Sequence, residues 1–316
     1  MATIRVGLVG VGKIARDQHI PVLRASPLFE LVACASRHGR VDGIFNFPTV
    51  EEMLVGCPLL DAVVICSQPQ MHYECARDAL LAGKHVFLEK PPCATTAQLD
   101  HLAALARAEK RTLYQTWHLR RAPRVDDALR WLAGKKIISG RIAWKEDVRT
   151  WHPGQTWIWQ AGGYGVFDPG INAISILTKI LPEAVFVEKA DLAFPSNCDS
   201  PITADLVFRT ESGAQIPAAF DFLYLGEPAW DIELVTDGGT LKLSFAATVL
   251  SIDGKQRDYP PPEDGEYVEY APLYRRFAEL IAEGTSEVDA TPFRLVADAF
   301  LVGTRRTVAP FKEWAS

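Results

Sequence analysis

The chain has 316 residues, with 33 basic and 39 acidic side chains and a formal net charge of −6, and its sequence pI is near 5.7. This length suffices for two domains, and the absence of a basic stripe argues against nucleic acid or an anionic membrane as a partner. No apolar run reaches the roughly 20 residues of a spanning helix, and the first residues lead directly into a strand pattern. We therefore expect a soluble, cytoplasmic protein.

The cysteines are scattered and mostly lie in apolar surroundings. Their spacing does not suit a metal site, so we expect reduced core thiols and no bound metal. The six positions are Cys34, Cys57, Cys66, Cys75, Cys93 and Cys198.

Short apolar strands alternate with amphipathic helices over the first 120 residues. The predicted order is strand 4–12, a helix from Lys13, strands 29–36 and 61–67, helix 72–83, strand 84–90, helix 95–110 and strand 111–117. This alternation predicts a doubly wound parallel sheet covered on both faces, with its ligand crevice at the carboxyl ends of the strands.

The first strand ends in a glycine-rich turn, "GLVGVGKIA", in which Gly10, Gly12 and Ala15 form the pattern G-x-G-x-x-A. The first glycine allows a tight turn, the second allows close approach of a pyrophosphate, and the small third residue allows helix and strand to pack. The following helix directs its N-terminus at the phosphates. In this βαβ setting the turn predicts dinucleotide binding.

The end of the second strand indicates which dinucleotide is bound. NAD-preferring domains usually carry Asp or Glu there, whereas this chain has Ser36, Arg37 and His38. No carboxylate repels a 2′-phosphate, and a guanidinium is available to bind one. We expect NADP to be preferred and NAD to be possible, although an ordinary polar loop would show the same residues.

The second half begins with a predicted helix at 124–132 and a strand at 137–148. Alternation along that strand places Glu146 on the apolar face with Trp144. A buried carboxylate needs a partner, which could be a sugar hydroxyl or an internal ion pair.

The segment "GVFDPGINAI" predicts an amphipathic helix with Asp168 as N-cap and Pro169 at the first helical position. Asp168 and Asn172 lie one turn apart on its polar stripe, with Ser175 and Lys179. Capping and solvation are one interpretation, and catalysis is the other.

Aromatic residues are concentrated around this region, since six of the eight tryptophans lie between residues 117 and 159. An indole ring can cover the apolar face of a pyranose. Trp151, beside His152, is a candidate for a sugar site, as are Trp230 and His118.

Further strands are predicted at 184–194, 203–210, 214–222, 230–244 and 248–252, with a hairpin signal at "DGG", and two helices follow near 272–283 and 292–303. The expected fold is α/β, with an N-terminal Rossmann doubly wound parallel sheet (1–120) plus a C-terminal α+β domain (121–316) that has a large, mainly antiparallel open-faced sheet.

Together with the glycine turn, "LEKPP" (88–92) and "FDPGIN" (167–172) make the chain resemble the Gfo/Idh/MocA family of nicotinamide-dependent sugar and polyol oxidoreductases. The resemblance implies that Lys90 contacts the reacting hydroxyl and that the Lys90–Pro91 bond is often cis. Asp168 aligns with the family aspartate, but Asn172 stands where the family has histidine.

The motifs "GKIARDQH", "WKEDV" and "WHPGQTWIW" resemble the branch of aldose 1-dehydrogenases that convert L-arabinose and D-galactose to aldonolactones. The resemblance implies Lys90 and Asp168 as catalytic residues, with either one as the immediate base, and Asn172 as an orienting residue. It also implies a homo-oligomer, dimer or tetramer. A dehydrogenase of another ring hydroxyl, such as an inositol dehydrogenase, and a sugar-sensing regulator are the alternatives.

The expected site residues fall into two sets. The sugar is expected to contact Lys90, His118, Glu146, Trp151, His152, Asp168, Asn172 and Trp230. The cofactor is expected to contact Gly10, Gly12, Lys13, Ile14, Ser36, Arg37, His38, Ser67, His72, Glu89 and Lys90.

Overall fold

The computed structural model describes residues 3–260, 265 and 268–312. Its strands are β1 Ile4–Val9, β2 Phe29–Ala35, β3 Phe45–Phe47, β4 Ala62–Ile65, β5 His85–Leu88, β6 Leu113–Gln115, β7 Ile137–Lys145, β8 Val185–Pro195, β9 Thr203–Thr210, β10 Gln215–Asp221, β11 Ala229–Thr236, β12 Gly239–Ser244, β13 Val249–Ile252, β14 Lys255–Gln256 and β15 Thr304–Val308. Its α-helices are α1 Ile20–Ala25, α2 Val50–Gly56, α3 Pro69–Leu81, α4 Thr96–Ala108, α5 Val125–Leu132, α6 Val148–Trp151, α7 Phe167–Ile180, α8 Tyr270–Glu283 and α9 Thr291–Val302.

The chain divides into two compact units. The first contains Met1–His118 and Glu263–Ala290, and the second contains Leu119–Pro262 and Thr291–Ser316. The expected boundary after residue 120 therefore lies close to His118, where the chain first passes from the first unit to the second. The placement of 263–290 in the second domain is wrong, because Leu273, Tyr274 and Phe277 of α8 are buried in the same core as β1 and β5.

The first unit holds a six-stranded sheet in the order β3-β2-β1-β4-β5-β6, and every neighbouring pair is parallel. This order is the doubly wound arrangement of the Rossmann fold, as predicted. β3 and α2 were not predicted. The three residues of β3 are only partly buried and lack a clear alternating pattern.

The first helix begins at Lys13, as predicted, and contains a π-helical segment, Ala15–His19, before α1. A π segment inserts an extra residue into a helical turn and changes which side chains face inward. Here His19, at the end of the segment, is completely buried.

The second unit holds a nine-stranded sheet in the order β14-β13-β12-β11-β7-β10-β9-β8-β15. The sheet is mainly antiparallel, as predicted, although β10 pairs with β7 and β15 pairs with β8 in parallel. The predicted hairpin is present, with Thr236 opposite Gly239. The short edge strands β14 and β15 were not predicted.

Two predicted boundaries in this unit are wrong. β7 ends at Lys145 rather than at 148, because the chain turns into α6 behind an Asp147 cap. Helix α7 begins at Phe167 with Val166 as its N-cap, so Asp168 lies inside the first turn. The helix starts earlier because Phe167 and Asp168 donate backbone hydrogen bonds to Tyr164 and Gly165.

All six cysteines are free thiols, and five of them are buried. Among the residues that the structure describes, no helix combines the length and apolar character needed to cross a membrane.

Candidate active site

The glycine-rich turn after β1 lies against the turn after β4. Gly10 has φ +89°, and a Cβ at this position would lie 2.7 Å from the Ser67 nitrogen. A Cβ at Gly12 would meet no atom of the described residues within 4 Å. Gly10 therefore allows the close approach of the two turns, while Gly12 leaves open space at the start of the helix. Lys13 and Ile14, which follow Gly12, are exposed.

The loop after β2 presents basic side chains beside this turn. Ser36 Oγ accepts the Gly39 backbone N–H at 3.1 Å, and Arg37 and His38 are exposed. A Cβ at Gly39 would lie 2.6 Å from Val11 of the glycine turn, so the loop packs closely against it. Arg16 donates to the Arg40 carbonyl at 3.3 Å. The predicted cofactor residues included neither Arg16 nor Arg40, although Arg40 lies only two residues after His38.

His72 connects the turn after β4 with the prolines after β5. Its Nε2 lies 2.8 Å from the Ser67 carbonyl and its Nδ1 lies 3.2 Å from the Pro92 carbonyl. Burial lowers the pKa of this imidazole. The ring therefore contacts the backbone, and its predicted cofactor contact stays a prediction. Ser67 Oγ is buried and has no hydrogen-bond partner among the described residues.

Lys90 follows β5 at the carboxyl edge of the sheet. The Lys90–Pro91 peptide bond is cis, as the resemblance implied. Lys90 is half-buried, and its backbone N–H donates to Glu89 Oε2 at 2.8 Å. Burial alone would raise the pKa of Glu89, but His19, His118 and the Lys90 N–H hold it at about 2. Glu89 is therefore a buried carboxylate.

His118 follows β6 and faces the start of α8. Its ring stacks on Tyr270 with centroids 5.6 Å apart, and its Nε2 lies 3.8 Å from Glu269 Oε2. Burial, and then the negative charge of Glu89, raise the pKa of Glu269 to about 7. Sequence reasoning missed Glu269, because nothing local shows that its segment returns to the first unit.

In the second unit one histidine lies between two buried carboxylates. His152 Nε2 is 3.2 Å from Glu146 Oε1, and His152 Nδ1 is 3.6 Å from Asp168 Oδ2. Glu146 follows β7, His152 follows α6, and Asp168 lies in the first turn of α7. The two carboxyl side chains are 5% and 4% exposed, which excludes a solvated surface role for Asp168.

Glu146 also has an aromatic partner. Trp230 Nε1 donates to Glu146 Oε2 at 2.7 Å, because β11 pairs with β7 and places Trp230 opposite Trp144. Glu146 therefore has internal partners, as one of its two interpretations expected, and its contact with a sugar hydroxyl stays a prediction. Trp151 packs edge-on against Trp230 at 5.1 Å and is 42% exposed.

Asn172 lies one turn after Asp168 on α7 and is half-buried. Its side-chain Oδ1 is buried and has no hydrogen-bond partner among the residues that the structure describes. An unpartnered amide oxygen can accept a hydrogen bond from a ligand hydroxyl. The N-terminal turn of α7 also favours the negative charge of Asp168.

The structure thus brings the predicted residues together in two sets. In the first unit, the open space at Gly12, the unpartnered Ser67 hydroxyl and the basic loop at 36–40 fit a dinucleotide phosphate chain. In the second unit, Glu146, Trp151, His152, Asp168 and Trp230 form a continuous cluster of acids, histidine and indoles.

Residues 4–116 match the family described as an oxidoreductase family with an NAD-binding Rossmann fold, Gfo/Idh/MocA. The chain is 45% identical over 311 residues to galactose 1-dehydrogenase of Pseudomonas fluorescens, covering 98% of this chain and 99% of that protein. It is 50% identical to a D-galactose-1-dehydrogenase of known structure from Rhizobium etli, with TM-score 0.92 and 99% of each chain covered.

A more distant structure, KijD10 from Actinomadura kijaniata, is a 3-ketoreductase in complex with NADP and TDP-benzene. It is 22% identical, with TM-score 0.79 and coverage of 97% of this chain and 99% of that one, and it shows the fold alone. The family match and the full-length relative place the chain in the class of oxidoreductases with an NAD-binding Rossmann fold. The chain belongs to the Gfo/Idh/MocA family.

The raised pKa of Glu269 makes stability depend on pH. Because the folded protein holds this proton more tightly than the unfolded chain does, the stabilisation is complete below about pH 4.5 and is lost as pH rises through about 7. The loss is at most about 3 kcal/mol. We expect Glu269→Gln to raise the melting temperature relative to wild type more at pH 8 than at pH 5, as measured by circular dichroism.

Glu109→Gln, an exposed position in the same unit, is the matched control and should leave the pH dependence of melting unchanged. Equal effects of Glu269→Gln at both pH values would contradict the assignment of this proton to Glu269.

Proposed function

We propose that the protein is an NAD(P)⁺-dependent aldose 1-dehydrogenase that oxidises D-galactose and L-arabinose at C1 to the aldonolactone. The observation that carries the proposal is the buried Glu146–His152–Asp168 cluster beside Trp151 and Trp230. This combination of paired acids and indole faces suits a pyranose, which has hydroxyls at its rim and an apolar C–H face. The full-length likeness to galactose 1-dehydrogenases supports the same substrate class.

Glu146, His152 and Asn172 hold the sugar in this proposal. Glu146 is fixed by the Trp230 N–H and by His152, so its carboxylate has a defined position toward a sugar hydroxyl. Asn172 Oδ1 supplies a further acceptor. The indoles of Trp151 and Trp230 cover the apolar face, and the contact of the sugar with His118 stays a prediction. Fixed partners of this kind reduce the entropy lost when the substrate becomes oriented.

When bound, the nicotinamide supplies the acceptor for the hydride that leaves C1. The glycine turn, Ser67 and the loop at 36–40 hold the dinucleotide through its phosphates and adenosine ribose. We assign NADP⁺ preference to Ser36 and Arg37, with His38 beside them, because Ser36 stands where NAD enzymes usually have a carboxylate and the Arg37 guanidinium follows it. The bonded Ser36 hydroxyl keeps the loop in one conformation.

Loss of hydride from C1 requires loss of the proton from its hydroxyl group. We assign the proton to Asp168, which receives it directly or through Lys90, while the Lys90 ammonium stabilises the developing alkoxide. His152 Nδ1 lies 3.6 Å from Asp168 Oδ2, so the ring is a side-chain neighbour of this carboxylate. Lys90 as the immediate base is the alternative, and a substitution at Asp168 distinguishes the two.

D-Galactose and L-arabinose share the pyranose configuration from C1 to C4, and galactose adds a hydroxymethyl group. Discrimination of one such group is worth about 1–3 kcal/mol. We therefore expect activity on both sugars. Homo-oligomerisation to a dimer or tetramer also remains a proposal, which light scattering coupled to size-exclusion chromatography tests.

The first prediction for this function is reduction of NADP⁺ by purified protein in the presence of either sugar. The product should be the aldonolactone, because oxidation at C1 of a ring hemiacetal gives an ester. Absorbance at 340 nm follows the reaction, and mass spectrometry with alkaline hydroxamate detects the lactone. A ring ketone, or turnover of inositols instead, would indicate a relative that oxidises another hydroxyl. Sugar binding without any turnover would indicate a sensor.

The second prediction concerns Arg37. We expect Arg37→Ala to lower kcat/KM for NADP⁺ by about tenfold or more, since a charge-assisted phosphate contact is worth roughly 1.5–3 kcal/mol. The value for NAD⁺ should change by less than about threefold, because NAD⁺ lacks the 2′-phosphate. Steady-state kinetics with both cofactors provide the measurement. Arg107→Ala, an exposed arginine on α4, is the control, and parallel losses for both cofactors would contradict the assignment.

The third prediction concerns Asp168. Asp168→Asn keeps the shape of the side chain but removes its ability to accept the proton, so kcat should fall by about 10²- to 10⁴-fold with a smaller change in sugar KM. Asp205→Asn, at an exposed position on β9, is the matched control. A fall in kcat of less than about tenfold would transfer the role of base to Lys90.

A further inference from the structure

A buried chain of polar groups lies behind the turn that carries Lys90. His19, at the end of the π-helical segment, and Tyr274, on α8, are both completely or almost completely buried. His19 Nδ1 is 2.7 Å from the Tyr274 hydroxyl, and His19 Nε2 is 3.2 Å from Glu89 Oε1. The other oxygen of Glu89 accepts the Lys90 backbone N–H at 2.8 Å.

The donor and the acceptor between Tyr274 and His19 follow from the group that keeps its proton. Burial raises the pKa of Tyr274 well above its usual value, so the phenol keeps its proton and can donate it to His19 Nδ1. The other ring nitrogen, Nε2, then faces Glu89. Glu89 remains a carboxylate: its Oε2 accepts the Lys90 N–H, and its Oε1 lies 3.2 Å from His19 Nε2 in an ion-pair contact. The order is thus Tyr274 hydroxyl, His19 ring, Glu89 carboxylate and Lys90 backbone.

A hydrophobic core does not require this arrangement. The His19 ring packs edge-on against Phe87 and Tyr270, with centroids 5.7 and 5.1 Å away, and an apolar side chain could fill the same space. Burying a carboxylate there is costly unless it is well paired, and apolar replacements of buried pairs are often neutral or stabilising. Besides packing, the arrangement provides a fixed acceptor for the Lys90 backbone N–H.

We propose that His19 is a positioning residue for Lys90: it fixes the Glu89 carboxylate, which in turn holds the Lys90 backbone and directs the lysine amine. The π-helical segment contributes by turning His19 into the core at the end of the first helix. This inference rests on the proposed function to the extent that Lys90 acts there on the reacting hydroxyl.

Two substitutions at His19 separate positioning from packing. In His19→Gln the amide nitrogen reaches the place of Nε2 and keeps a donor toward Glu89. In His19→Asn the shorter amide reaches only the place of Nδ1, so Glu89 loses its contact with residue 19 and keeps the Lys90 N–H. We expect kcat to fall by about 10- to 100-fold in His19→Asn, with KM for sugar and cofactor changed less than about threefold, and His19→Gln to restore most of the loss.

A second readout does not require turnover. The rate of acetylation of the Lys90 amine, followed by peptide mass spectrometry, should rise at least about threefold in His19→Asn relative to His19→Gln, because a released turn exposes the amine. The exposed Lys110 provides the internal reference. If wild-type protein oxidises no sugar, the proposed function fails, and this comparison still decides the role of His19.

Folding is checked by circular dichroism for each variant. If both His19 variants fail to fold, Tyr274→Phe takes their place, because it removes one hydroxyl and leaves the ring. In that variant kcat should fall by about 3- to 10-fold with the Lys90 acetylation rate raised. Equal kcat and equal Lys90 acetylation in His19→Gln and His19→Asn would overturn the proposal. If neither of these variants folds, an unchanged kcat and an unchanged Lys90 acetylation rate in Tyr274→Phe would overturn it.

Discussion

The pairing of buried carboxylates is the constraint on which both units depend. Glu89 in the first unit and Glu146 in the second are each almost completely inaccessible to water. Each carboxylate lies 3.2 Å from a histidine nitrogen, and each accepts a further N–H, from the Lys90 backbone and from the Trp230 indole. An unpaired carboxylate in such surroundings would cost several kcal/mol, so the partners are required wherever the acids are. The turn after β5 must therefore bring the Lys90 N–H to Glu89, and the segment after α6 must bring His152 to Glu146.

The two arrangements use histidine in different ways. In the first unit both nitrogens of the buried ring face fixed internal partners, which leaves the group no contact with a ligand. In the second unit the ring of His152 is partly exposed and lies between two acids, Glu146 and Asp168, at unequal distances. The fully enclosed pair of His19 and Glu89 is suited to holding the Lys90 backbone in one position. A partly open one suits exchange of a proton, since the charge can be redistributed when a polar ligand arrives.

The local parts of this structure could be predicted from the sequence, and the long-range parts could not. The glycine turn, the longer strands of both sheets and the hairpin at Thr236–Gly239 each have a local signature, whereas the short strands β3, β14 and β15 have none. The threonine before α4 forms a complete capping box. By contrast, the contact of His19 with Glu89 joins residues 70 positions apart in a chain whose local pattern favours an ordinary helix. The start of α7 was misplaced because backbone bonds from Phe167 and Asp168 to the preceding turn extend the helix. No local sequence pattern predicts those hydrogen bonds.

The return of α8 to the first unit also affects how the chain can fold during its synthesis. The core around Phe87 and Tyr114 is completed by Leu273, Tyr274 and Phe277, which are made more than 150 residues later. A nascent chain that has just produced β6 therefore carries an open sheet face, whereas strands β7 to β13 of the second unit, with helices α6 and α7, lie in one contiguous stretch of the chain. Domains usually fold as contiguous stretches in the order in which they emerge. Here the N-terminal nucleotide-binding half must wait for most of the other half to be made, and a fragment cut after residue 118 would lack part of its own interior.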